Sequence, residues 1–162
     1  MIDKNFKVVF VGDADHPSSY SMKLREEAER QGIVLTGFIK GERLHQIYSH
    51  AALFVLPSYY EGLPIALLEA MSYNLNVLVS NIPANAEVGL PANNYFEVKN
   101  VKQLAERINE NLNIDSPVGF LKLLKKRYNW DEIAEQTYQV YKVFMSIDVQ
   151  DEKTTKETEK VG

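Results

Sequence analysis

The chain of 162 residues contains no cysteine. That absence removes disulfides, thiolate metal sites and a cysteine nucleophile together. Long apolar runs are missing too: AALFVL at 51–56, the longest uncharged run near the middle, is far too short to cross a bilayer. The opening MIDKNFKVVF has no extended apolar core of the kind a signal peptide needs. Positive charge is not in excess; the net charge is −4, which argues against a general nucleic-acid binder. What is present is average for a soluble globular protein, with 45% hydrophobic and 25% charged residues. The length suits one domain with a substantial core. These readings predict a soluble, cytoplasmic protein with no transmembrane segment and no nucleic-acid partner.

Periodicity sets out the elements. Residues 7–11 (KVVFV) are a β-branched run ending at Gly12 and predict a buried strand. Further strands are expected at 33–35, 53–56, 76–79 and 95–98. Helical spacing covers 20–31, 43–50, 64–73, 101–112, 120–127 and 130–147, with 80–85 (SNIPAN) read as a loop. The last helix sets Ile133, Ala134, Thr137, Val140, Tyr141 and Phe144 on one face, and its aromatic series Trp130, Tyr138, Tyr141 and Phe144 has core-facing spacing. Residues 148–162 are polar and repetitive and predict a disordered tail after a domain at 1–147. Short apolar strands alternating with helices imply an α/β class: a Rossmann-like parallel sheet with helices on both faces. Ligands of such sheets bind outside the carboxyl ends of the strands. The loops at 12–19, 36–41 and 57–64 qualify.

The third of these carries the chemistry. In SYYEGLPIALLEAM (58–71), Glu69 stands inside a near-continuous apolar run, and Glu61 stands eight positions earlier, before Gly62. A carboxylate in a dry interior costs several kcal/mol unless something pairs with it. Amides in a first helical turn are unpaired and, with the helix dipole, favour an anion. Pro64 has no N–H, so Ile65 and Ala66 are the expected donors, with Gly62 allowing close backbone approach. Carboxylates that accept from paired hydroxyls hold sugars, and a phosphate between two polyols suits this layout.

Glu61 to Glu69, EGLPIALLE, resembles the E-x7-E motif of retaining, GT-B-fold glycosyltransferases of family 4. FVGD (10–13), TGF (36–38), LFVLPSYYEG (53–62), LLEAM (67–71), SNIPAN (80–85) and the late W-x2-I-A-E-Q-T-x2-V-Y (130–141) follow that family's order, over about residues 7–145. The resemblance implies the carboxy-terminal half of a GT-B fold that binds a nucleoside-diphosphate sugar and passes a hexosyl group to an acceptor with retention. Glu61 would serve catalysis at the donor sugar's hydroxyls. Gly62, Leu63, Pro64, Ile65 and Ala66 would line the sugar and distal phosphate, and Glu69 would accept from the ribose. Gly37, Phe38 and Ile39 would meet the base through backbone atoms. It implies no cofactor and no bound metal. The sequence agrees on the metal, having no Asp-x-Asp and no acid cluster with ligand spacing.

The pattern is also broken in places. The family's lobe begins one βα unit earlier, where an Arg and a Lys meet the diphosphate, and neither has a counterpart here. Ala86 stands where Arg is frequent, and Asn74-Leu75-Asn76 replaces a Gly-containing turn. A separate amino-terminal, acceptor-binding lobe is the expected partner, with any peripheral membrane contact through it, and the isolated chain is not expected to catalyse transfer. A non-catalytic fragment acting by association and a sugar-nucleotide epimerase are the alternatives. His45 and His50, five apart, face away from each other on a helix, Ser58 lies outside any nucleophile elbow, and Asp13 and Asp15 read as turn residues.

Overall fold

A computed structural model describes residues 6–112 and 119–158, with side chains of the last helix to residue 145. The chain falls into two compact units, 1–120 and 121–162. The first holds two parallel sheets. One pairs β1 (Val9–Phe10) with β2 (Val34–Leu35), Val9 opposite Val34. The other runs in the order β3 (Phe54–Leu56), β4 (Val77–Ser80), β5 (Tyr95–Phe96), with Val55 opposite Leu78 and Val79 opposite Tyr95. Helices α1 (Ser19–Arg30), α2 (Glu42–His50), α3 (Ile65–Ser72), α4 (Pro83–Ala86) and α5 (Val101–Leu112) connect and follow the strands. This is the expected Rossmann-like α/β arrangement.

The core sits under the second sheet. All four residues of β4 are buried, and Leu67, Ala70 and Met71 of α3 are fully buried. Three asparagines tie the layers. Asn94 donates to the Val77 carbonyl (2.6 Å), Asn76 to the Asn111 carbonyl (3.1 Å), and Asn111 to the Arg107 and Asn93 carbonyls (2.9 and 3.3 Å). At the other sheet, Ser18 and Ser21 cap α1 reciprocally, and Arg25 clamps Asp13 at 2.7 Å. That guanidinium holds the Asp13 carboxyl below its ordinary range.

Several expectations are corrected. The first strand is present but not buried: Val8, Val9, Phe10 and Val11 are exposed, in a sheet of two strands among the described residues. Loop 80–85 winds into the short helix α4, which Pro83 can start because it needs no N–H there. The second unit continues α6 (Phe120–Arg127) and holds α7 (Trp130–Thr158). α7 runs past the expected end at 147, and residues 159–162 of the expected tail lie outside the described residues. Trp130, Tyr138, Tyr141 and Phe144 are exposed rather than core-facing.

Candidate functional site

The loop 57–64 leaves the carboxyl end of β3 and enters α3, so one short segment carries every expected site residue except Gly37, Phe38 and Ile39. Pro64 is buried and occupies the cap position, with its carbonyl accepting from Leu67 (3.0 Å) and Leu68 (3.2 Å). The Ile65 amide, expected to be free, instead donates to the Leu63 carbonyl at 2.8 Å, because the proline turns the chain sharply there. Ala66 keeps an amide with no backbone partner among the described residues. Nothing stands within 4 Å of the space a Cβ on Gly62 would fill, so the backbone there is open to approach. Leu63 and Ile65 flank it as exposed apolar side chains.

Glu69 is not in a dry interior. The helix turns it to the exposed side, while Leu67 and Ala70 beside it are fully buried, so no buried charge has to be offset there. Its carboxylate is nevertheless held: Oε2 accepts from the Tyr48 hydroxyl at 3.2 Å. Tyr48 is buried, stacked on Tyr73 at 5.3 Å and tilted against Phe54 at 6.1 Å. Burial, with the Glu69 charge beside it, pushes the Tyr48 phenol well above its ordinary range, so it remains a donor. Glu61 is half-buried, and its Oε1 accepts from Ser58 at 2.6 Å. Among the described residues neither glutamate is in an ion pair, and each keeps one carboxylate oxygen without a hydrogen bond from the protein.

The segment 37–39 lies beyond the end of β2, in the other sheet. Gly37 has φ +61, a conformation that favours glycine, and its carbonyl accepts from the Gly12 amide (3.0 Å) and the Thr36 hydroxyl (2.8 Å). Phe38 is 73% exposed with the Lys40 ammonium over its ring. No hydrogen bond joins 37–39 to loop 57–64 among the described residues. Four residues near the loop were missed by sequence reasoning: Tyr48, Ser80, Asn85 and Lys99. Lys99, held at φ +68, sets its ammonium 5.9 Å from the Tyr59 ring centroid. No local spacing links these residues to the loop; only the strand order brings them there.

A family model described as glycosyl transferases group 1 matches residues 2–137. The chain belongs to the glycosyl transferases group 1. This glycosyltransferase domain is 31% identical to an uncharacterized glycosyltransferase of Methanocaldococcus jannaschii over 88% of the chain and 38% of that protein. It is 32% identical to the O-antigen chain mannosyltransferase B of Escherichia coli, over 75% of the chain and 33% of that protein. The sucrose-phosphate synthase of Thermosynechococcus elongatus superposes with a TM-score of 0.71 at 21% identity, over 86% of this chain and 39% of that one. That last likeness carries the fold. The group 1 glycosyltransferase domain thus spans well under half the length of these relatives. Among the described residues no helix is long and apolar enough to cross a membrane.

Proposed function

We propose that this chain is the donor lobe of a retaining, family 4 glycosyltransferase that takes a hexosyl group from a nucleoside-diphosphate sugar in the cytoplasm. The observation that carries the reading is the pair of glutamates about the start of α3. Each is fixed by one neutral hydroxyl, free of any cation among the described residues, and left with an oxygen to accept from a ligand. Between them lie the Ala66 amide and the open backbone at Gly62. Carboxylates that keep their charge accept strongly from hydroxyls. Glu61 therefore takes the sugar hydroxyls and serves the reaction, and Glu69, about 7.5 Å along the helix axis from Pro64 at about 1.5 Å per residue, takes the ribose. Ala66 and Gly62 meet the distal phosphate, with Leu63, Pro64 and Ile65 walling the pocket. Gly37, Phe38 and Ile39 meet the base.

A diphosphate carries about two to three negative charges, and a helix end offers about half a counter-charge. Lys99 adds one cation beside the loop, and a second lobe that binds the acceptor completes the enzyme, so the isolated chain binds donor without transferring sugar. The O-antigen relative supports a polysaccharide product. Titration of the chain with uridine, guanosine and adenosine diphosphates, bare and carrying glucose or mannose, tests the reading. We expect one base to bind, and Glu61→Ala and Glu69→Gln to lose about tenfold in affinity at unchanged melting temperature. Binding of none of these by the wild type would overturn it.

A further inference from the structure

Loop 57–64 is tethered to the core by a directional string of hydrogen bonds. Asn85, fully buried in α4, donates from Nδ2 to the Ser80 carbonyl (2.9 Å) and hydroxyl (3.2 Å). Ser80, buried at the end of β4, donates its hydroxyl to the Ser58 carbonyl at 2.6 Å. Ser58 donates its own hydroxyl to Glu61 Oε1, also at 2.6 Å. At the inner end, the Asn85 carbonyl accepts from the Tyr95 hydroxyl at 3.2 Å, and that hydroxyl accepts from the Leu90 amide at 2.9 Å. Every donor from Asn85 outward points towards Glu61.

Asn85 Oδ1 is buried without a hydrogen-bond partner. The Asn85 amide nitrogen secures both the Ser80 carbonyl and the Ser80 hydroxyl, and through that hydroxyl the Ser58 backbone. Resting on the donor-lobe reading above, we propose that Ser58, Ser80 and Asn85 are positioning residues that fix the Glu61 carboxylate for a sugar hydroxyl. A glutamate has rotamer freedom that binding must remove. One oxygen held in advance lowers that loss and leaves the other oxygen aimed.

Two readouts test this on the whole chain. The first needs no ligand: side-chain couplings and the carboxyl carbon shift of Glu61 by nuclear magnetic resonance. We expect a single rotamer in the wild type and in Ser58→Thr, and averaging in Ser58→Ala at an unchanged melting temperature. Ser80→Ala gives the same averaging to a smaller degree. A single Glu61 rotamer in both alanine variants overturns the proposal; should Ser58→Ala fail to fold, Ser80→Ala and Asn85→Ser decide it alone. The second readout is affinity, for the nucleoside diphosphate that binds, bare and sugar-bearing. Ser58→Ala should weaken the sugar-bearing form about fivefold, what one hydrogen bond of ordinary net strength supplies, and leave the bare form alone. The fivefold loss should vanish in a Glu61→Gln background. Equal losses for both forms, or additive losses with Glu61→Gln, mark a merely structural staple and overturn the positioning role. If no nucleotide binds the wild type, the donor reading falls, and the rotamer readout still decides the string.

Discussion

At the scale of the residue, the two glutamates show what spacing can and cannot reveal. EGLPIALLE pointed to a carboxylate pair about a helix start, and the pair stands there. Burial is not what makes the pair, because Glu69 faces outward and needs no burial partner. Its holder, Tyr48, is distant in sequence and reaches it with its ring stacked on Tyr73, just past the end of α3. Tyr48→Phe deletes one hydroxyl and keeps the ring stack, so affinity for the bound nucleotide should fall about threefold to tenfold. Titration calorimetry checks this, with circular dichroism to confirm the fold. The same hydroxyl sets a pH effect. Its folded-state pKa is raised, so the unfolded chain releases that proton first, near pH 10. The stability from the neutral phenol is thus complete below about pH 10 and lost as pH rises beyond it. Alkaline denaturation series should show a shallower decline above pH 10 for Tyr48→Phe than for the wild type. Lys99 is a further residue-scale case. Lys99→Ala should weaken a bare nucleoside diphosphate about threefold at low salt, and the difference should shrink at high salt, as an exposed charge requires.

At the scale of the element, periodicity was a good guide to type and a poor one to burial. Helix α5 was legible to the residue, because Leu104, Ile108 and Leu112 recur with charges between them. The strands were legible from short β-branched runs. Their environments were not, since KVVFV and NVLV read alike, yet Val77 and Val79 are fully buried while Val9 and Val11 are exposed. A run of valines states a preference, and only a layer packed on the face of the sheet satisfies it. α4 escaped notice because four residues are too few to show a period. The α3–β4 layer is where packing is complete, so it is where truncation should cost most. Leu67→Ala, at 0% exposure, should lower stability by about 2–5 kcal/mol, read as a fall in the urea midpoint at unchanged slope. The same change at Ile65, 62% exposed, should cost under about 1 kcal/mol.

At the scale of the whole molecule, the break between the sheets is the main fact the sequence only half disclosed. In a doubly wound sheet the strands join across the middle. Among the described residues β1 pairs only with β2, and β3 is the edge of its own sheet. Both present backbone donors and acceptors along an open side, and β1 adds exposed Val9 and Phe10. Open apolar edges pair with other chains unless charge or proline blunts them, and β1 carries neither. α7 offers a second exposed surface through Tyr141 and Phe144. Light scattering on the isolated chain should therefore give a mass that rises with concentration, and the variants assign its origin. Val9→Lys places a charge on the β1 edge and should return the mass to that of a monomer, whereas Tyr141→Lys should leave association nearly intact. The reverse pattern would assign association to the long helix and remove the sheet edge as its cause. A mass that stays monomeric at all concentrations would remove both the sheet edge and the long helix as sites of association.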